Sequence, residues 1–160
     1  MNHKEKTPYE TEPVENLSEA MRAFVSAYDR LHEILKFNGY NDFDKDLKAT
    51  MYKPVKPDIG STTPPISLYE IGVSHFPDDR TEAGRHSIHD EKFAEALKHK
   101  SKAIRALLVQ EEAGVLPRLC LMITEFINLE RTEEELLPEH VYAALMRFLN
   151  ECRRLTAMWI

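Results

Sequence analysis

Three segments of the chain repeat apolar residues at three- and four-residue steps, and this periodicity constrains the fold more than any other feature. The segments are residues 17–38, 88–113 and 138–158. Such spacing places the apolar side chains on one face of an α-helix. Because each apolar face must be covered by another element, the sequence predicts helices packed on one another.

The first of these segments has the clearest boundaries. Asn16, followed three residues later by Glu19, resembles a capping box, in which the side chain at the helix start accepts a hydrogen bond from an unpaired backbone N–H. Asn38 and Gly39 are typical of a helix end, since glycine readily adopts left-handed backbone angles. A second, shorter helix is predicted over residues 41–52, because two prolines follow shortly after it.

The chain from residue 53 to about residue 85 is rich in Pro, Gly, Ser and Thr and predicts a long irregular connection. In residues 66–73 apolar and polar side chains alternate often enough to predict a short strand, but the sequence contains no evident partner strand for it. We interpret it as an extended or single-turn segment that lies across the helices. Connections of this length inside a compact domain are often functional, so any chemistry is most expected here.

The C-terminal half predicts three more helices. One covers residues 88–113, with Ser87 marking its start, and the last covers residues 138–158. Between them, residues 117–129 are apolar nearly all round, as in a central helix, yet too short to span a bilayer. The predicted fold is mainly α, a bundle of four to five helices with one long Pro-rich irregular connection.

Length and composition indicate one domain in a chain of 160 residues. Residues 1–16 alternate charges and prolines and are predicted to be a disordered or loosely attached arm, while residues 17–160 form a single helical domain. The net charge of −6 provides no concentrated basic surface, which makes nucleic acid an unlikely partner.

Two further features favour a cytoplasmic protein. The N-terminus has no apolar stretch typical of a secretory signal. Cys120 and Cys152 lie among apolar residues at helical spacing, which indicates buried thiols rather than a disulfide framework.

Histidines near the end of the Pro-rich connection form the first candidate site. A metal ion is conceivable at His75, His86, His89 and Asp90, because His86 and His89 could share a helical face. No Glu or Cys stands at a defined spacing to complete the ligands. We therefore favour exposed loop histidines, with Asp90 stabilising a helix N-terminus, and predict no cofactor.

A second candidate site combines basic residues. Arg80 and His86, in the segment RTEAGRH, have a spacing that resembles the Arg-to-His motif of the HEPN-type helical ribonucleases. The resemblance covers these two residues and implies an all-helical fold with nuclease activity. Lys98, Lys102 and Arg105 form a stripe on the third predicted helix and are candidate contacts for phosphate or an acidic partner. Two glutamates on the same side favour a solvated, salt-bridged face instead.

Asp29 and His32 on the first helix are three residues apart, the spacing of the acid and the histidine in carboxylate-bridged metal sites of helical bundles. No second acid stands three residues before another histidine where such a site would need one. Both residues also lie at the edge of the apolar stripe. The sequence therefore predicts that they belong to a solvated helix face.

No common catalytic motif is present, neither a nucleophile elbow nor a phosphate-binding loop nor a dinucleotide fingerprint. The leading hypothesis is a non-enzymatic accessory or regulatory factor that binds another protein or a second copy of itself. The alternatives are a metal-dependent enzyme using residues 75–90 and a nucleic-acid-acting protein using Arg80, His86 and the basic stripe. The candidate interface residues on the helix over 117–129 are Leu119, Leu121, Met122 and Phe126.

Overall fold

The computed structural model describes residues 13–57, 64–78, 81–131 and 137–159. Within these ranges the side chains are described at every position except 13–15, 75–78, 81–85 and 130–131. The fold is mainly α, as predicted, and its only sheet in these ranges has two strands. In chain order the elements are α1 (Pro13–Phe37), α2 (Asn41–Tyr52), a 3₁₀ turn (Leu68–Ile71), β1 (Val73–Asp78), β2 (Thr81–Ile88), α3 (Asp90–His99), α4 (Ser101–Val109), α5 (Val115–Arg131) and α6 (Glu139–Ala157).

Helix α1 is the central element of the described structure. One side packs along α6, and other parts of its surface contact α2, α3 and β2. Phe24 and Tyr28 of α1 are buried, and the ring of Phe24 stacks on Phe148 of α6 at 5.3 Å. Burial of one such side chain stabilises the fold by about 1.5–3 kcal/mol, so this seam is a main source of stability.

Helix α5 is covered on its inner side by α2, α4 and α6. Phe126 of α5 stacks on Phe43 of α2 with ring centres 3.9 Å apart. The Tyr40 ring meets the Phe126 ring edge-on at 5.6 Å. No helix within the described ranges is long and apolar enough to cross a membrane.

The predicted helix over residues 88–113 is two helices, which raises the number to six in the described chain. Lys100 interrupts the helix with φ −132° and ψ 31°. Phe93 on α3 and Ile104 on α4 are both fully buried, so each helix directs its own apolar face into the core. The predicted start at Ser87 is also wrong, because His89 caps α3 by accepting a hydrogen bond from the Lys92 N–H at 3.1 Å.

The Pro-rich connection contains a β-hairpin that the sequence did not predict. Strand β1 pairs with β2 in antiparallel register, Val73 opposite Ile88 and His75 opposite His86. The sequence of β2, TEAGRHSI, is mostly polar and has few strand-forming residues. Its strand geometry comes from pairing with β1 and packing on α1, neither of which local sequence reveals.

Helix α1 begins at Pro13, four residues before the predicted start at residue 17. A proline suits the first turn of a helix because that turn leaves backbone N–H groups unpaired. Residues 1–12 of the predicted arm lie outside the described residues.

Gly72 joins the 3₁₀ turn to β1 and has a left-handed φ of 97°. A Cβ there would lie 3.0 Å from the His89 carbonyl oxygen and 3.2 Å from the Phe93 nitrogen. We expect Gly72→Ala to lower the free energy of unfolding by about 2–4 kcal/mol, from backbone strain and from this clash. Urea denaturation checks the value. Gly39→Ala is the matched control, since Gly39 has φ 86° but no atom within 4 Å of a Cβ, and an equal loss would refute the steric part.

Candidate functional site

Two aspartate–histidine pairs lie where α1, α2 and β2 meet. His32 Nδ1 of α1 is 2.5 Å from Asp44 Oδ2 of α2, and His86 Nδ1 of β2 is 2.5 Å from Asp29 Oδ1 of α1. The side chains of the two histidines are 13% and 1% exposed. With the neighbouring tyrosines these residues form the polar cluster, defined as Tyr28, Asp29, His32, Asp44, Tyr52 and His86.

The first pair links α1 to α2. Asp44 is 6% exposed, and its Oδ1 accepts a hydrogen bond from the Tyr28 hydroxyl at 3.1 Å, while its other oxygen binds His32. A carboxylate without partners at this depth would be strongly destabilising. Both oxygens of Asp44 are therefore engaged, which fixes α2 against α1.

The second pair links β2 to α1. Asp29 binds the His86 ring through Oδ1 and accepts the His86 backbone N–H through Oδ2 at 3.1 Å. The His86 ring lies parallel to Tyr52 at 5.5 Å and meets Tyr28 edge-on at 5.2 Å. One hydrogen bond and two aromatic contacts thus hold the imidazole in one orientation, while the bond from the backbone N–H attaches β2 to Asp29.

The carboxylates determine which ring nitrogen can accept a proton. When Nδ1–H donates to a carboxylate, Nε2 of a neutral imidazole carries the lone pair. Among the described residues, His32 Nε2 and the Tyr52 hydroxyl are buried polar atoms with no hydrogen-bond partner. Buried polar atoms nearly always have a hydrogen-bond partner, so these two atoms still have the capacity to bind one.

Burial alters the titration of other groups in this region. Burial raises the pKa of Tyr28, and the negative charge of Asp44 raises it further; burial also raises the pKa of Tyr52. Burial lowers the pKa of Lys48, against the attraction of Asp44 and Asp29. At neutral pH the hydroxyls of Tyr28 and Tyr52 therefore keep their protons. Lys48 lies near the carboxylates of Asp44 and Asp29.

The raised pKa of Tyr28 predicts loss of stability in alkali. Because the unfolded chain releases this proton near its ordinary pKa of 10.0 and the folded chain retains it, the stabilisation is complete below that pH and declines above it. We expect the free energy of unfolding to fall by up to about 1.4 kcal/mol per pH unit from Tyr28 alone. Urea denaturation from about pH 8 to about pH 11 measures this slope. Tyr28→Phe should reduce it, whereas Tyr69→Phe, at an exposed position, should not; equal slopes in all three proteins would contradict the assignment.

The predicted metal ligands do not converge where they are described. His86 binds Asp29, His89 caps α3, and Asp90 pairs with Arg22. Among the described residues no group of three or more His, Cys, Asp or Glu could hold a metal ion. The backbone of His75 pairs with His86 across the hairpin, while its side chain lies outside the described residues.

The basic candidates are also separated. Arg80 lies outside the described residues. Lys98 is on α3, whereas Lys102 and Arg105 are on α4, so the break at Lys100 divides the predicted stripe. The Nε of Arg105 donates a hydrogen bond to the Trp159 carbonyl oxygen at 3.1 Å and thus has a role in fixing the C-terminus.

The candidate interface residues on α5 fall on different sides of the helix. Leu119 is fully buried, Met122 accepts a hydrogen bond from the Thr50 hydroxyl through its sulfur, and Phe126 stacks on α2. Leu121 is 58% exposed and Leu129 is 60% exposed. Of the four predicted residues, Leu121 alone is largely exposed.

The prediction that Asp29 and His32 belong to a solvated helix face is wrong. Helix α2 and strand β2 cover that part of α1 and supply their partners, Asp44 and His86. A signal was present in α2, where Asp44 shares the helical face of Leu47 and Met51. A carboxylate on an apolar helix face indicates a buried partner.

Comparison of the chain with models of protein families, with curated proteins and with solved structures gives no significant match.

Proposed function

We propose that the chain is an enzyme that uses its two Asp–His pairs for general acid–base catalysis. The observation that supports it is the paired arrangement itself, in which a carboxylate holds each imidazole through Nδ1. Such a carboxylate orients the ring and stabilises the imidazolium formed when Nε2 takes a proton. Histidine is the side chain whose ordinary titration lies nearest neutral pH, which suits it to both roles.

Two histidines in opposite roles suit cleavage of a phosphodiester. One removes a proton from the attacking water or hydroxyl, and the other protonates the leaving oxygen. Lys48, near both carboxylates, supplies positive charge for the phosphate. The net charge of −6 disfavours a long nucleic acid, so we propose a small phosphodiester such as a cyclic or short nucleotide.

Access is the main structural requirement of this proposal. The His86 side chain is 1% exposed, so a substrate reaches its Nε2 only when side chains that cover the ring, such as Tyr52, move aside. The bond from Asp29 to the His86 ring must stay intact during this movement, because the catalytic role depends on it.

The direct test is an assay of purified protein on bis-p-nitrophenyl phosphate and on a 2′,3′-cyclic nucleotide, with p-nitrophenyl acetate for comparison. We expect turnover of the phosphodiesters and little of the carboxylic ester. No turnover above a protein-free blank on any of them would contradict the proposal. Activity that disappears with a chelator and returns with a divalent metal would favour the metal-dependent alternative instead.

Protein–protein interaction is the second candidate function, and the exposed leucines of α5 favour it. Leu121 and Leu129 remain largely open to solvent, although Leu119 and Ile123 of the same helix are buried. We propose a second copy of the chain as the partner. Leu121→Glu would then convert a dimer into a monomer in light scattering, whereas a wild-type protein that is monomeric at all concentrations would remove this candidate. The two free cysteines fit the reducing cytoplasm as the place of action.

A further inference from the structure

A cavity of about 260 Å³ opens to solvent between the Pro-rich connection and the junction of α3 with α4. Pro64, Pro65 and Ile66 form one wall, and Ala103 of α4 lies on the other side. The cavity shares no residue with the polar cluster. Small-molecule sites usually measure about 300–1,000 Å³ and have mostly apolar walls, so this cavity suits a ligand with one compact ring system.

The apolar wall is held in place by the protein itself. Ile66 is buried, and its backbone N–H and carbonyl oxygen both bond to the backbone of Val55, at 2.9 Å and 2.8 Å. Pro64 and Pro65 have restricted backbone angles and no N–H to donate. Hydrogen bonds donated to a ligand therefore come from the side of the cavity formed by α3 and α4.

The charges around the cavity have a positive excess. Lys100 and Lys102 line it at the junction of the two helices, and Glu70 lines it from the 3₁₀ turn. Within the described chain, no salt bridge joins any of these three side chains to another. His99 also lines the cavity, but it pairs with Glu95 at 2.9 Å. Two lysines against one glutamate leave a single positive charge without a partner.

We propose that this cavity binds a small organic anion with one negative charge and a flat apolar body, such as an aromatic carboxylate. The apolar body displaces water from the wall of Pro64, Pro65 and Ile66, and the carboxylate accepts hydrogen bonds from the ammonium groups of Lys100 and Lys102. Helix α4 has no acidic residue in its first turn, so this helix start does not neutralise the lysines in advance.

Glu70 limits the charge of the ligand. Its carboxylate lines the same cavity as the two lysines and repels a second negative charge on the ligand. A dianion such as a phosphate monoester is therefore a poorer ligand than a carboxylate of the same shape. This binding site is independent of the acid–base proposal, since it uses none of the residues of that site.

The test is a titration of the ¹⁵N-labelled full chain with 2-naphthoate, followed by the NMR shifts of the backbone amides. We expect saturable shifts at Ile66, at Glu70 and over residues 100–103. 2-Naphthalenemethanol has the same rings without the charge. It should bind at least about tenfold more weakly, because it loses a charge-assisted hydrogen bond.

Substitutions separate the apolar contribution from the charged one. Ala103→Phe places a ring in the cavity and should abolish binding. Lys100→Gln combined with Lys102→Gln should weaken binding by about tenfold or more. The matched control combines Lys45→Gln with Lys98→Gln, which removes the same charge from exposed positions outside the cavity lining and should leave the affinity unchanged.

Several results would overturn the proposal. Shifts that do not saturate, or that spread over the chain without concentrating at the cavity, would show that no site exists there. Equal affinities for the carboxylate and the alcohol, or for the two double variants, would show that the lysines do not select an anion. All four lysines are exposed, so these variants keep the test decisive even if Ala103→Phe does not fold.

Discussion

Replacing His86 by asparagine is expected to lower kcat/KM for a phosphodiester by about 10²–10⁴-fold, the usual contribution of a general acid or base. The asparagine amide can occupy the place of Nδ1 and donate to Asp29, so β2 stays attached to α1. What the substitution removes is Nε2, the nitrogen that exchanges the proton. The loss should therefore appear in kcat more than in KM. His32→Asn makes the same change in the other pair, where the amide can donate to Asp44.

The matched controls are two exposed histidines. His99 pairs with Glu95 on the surface of α3, and His140 lies at the start of α6 beside Asn38. Asparagine at either position should leave kcat and KM unchanged. Retention of full activity by both His86→Asn and His32→Asn, with unchanged circular dichroism and unfolding midpoints, would refute the acid–base role.

Asp29→Asn tests the positioning of His86 separately. The amide oxygen can still accept one hydrogen bond, but it cannot stabilise an imidazolium by charge and can favour the wrong tautomer. We expect kcat to fall by at least about tenfold with little change in KM. Loss of protein stability without loss of activity in the folded fraction would show that Asp29 acts only in attaching the hairpin.

The helices were predictable because each depends on a local pattern. Helix α2 begins and ends at residues 41 and 52, as predicted, because Pro54 stops it and Leu47 and Met51 define its apolar face. The break at Lys100 was not predictable from periodicity, since the apolar steps continue across it. The turn of the chain there reflects how α3 and α4 separately bury Phe93 and Ile104.

The polar cluster was predictable only in part, because its bonds join residues that are distant in sequence. His86 and the spacing from Asp29 to His32 were considered as metal sites, but the sequence favoured exposed loop histidines and a solvated helix face, and Asp44 was not among the candidates. His86 lies 57 residues from Asp29, and Asp44 lies 12 residues from His32. Periodicity shows which face of a helix is polar, whereas the element that covers this face follows from the packing of the whole chain.

Replacing Asp44 by alanine is expected to lower the free energy of unfolding by about 3–5 kcal/mol, as when one partner of a buried polar pair is removed. The Tyr28 hydroxyl and the His32 Nδ1 would both lose their acceptor inside the core. Asp44→Asn should cost less, about 1–2 kcal/mol, because its carbonyl oxygen can still accept one of the two bonds. Denaturation in urea near neutral pH measures both values.

Asp46→Ala is the matched control, since Asp46 lies on the exposed side of the same helix and its loss should change the free energy by no more than about 0.5 kcal/mol. A double-mutant cycle with Tyr28→Phe then isolates the hydrogen bond between Tyr28 and Asp44. Because the two side chains are in contact, we expect a coupling energy of about 1–3 kcal/mol. Strict additivity, or an Asp44→Ala protein as stable as Asp46→Ala, would mean that the carboxylate does not hold α2 to α1. The first Asp–His pair would then lack the fixed geometry that its proposed catalytic role requires.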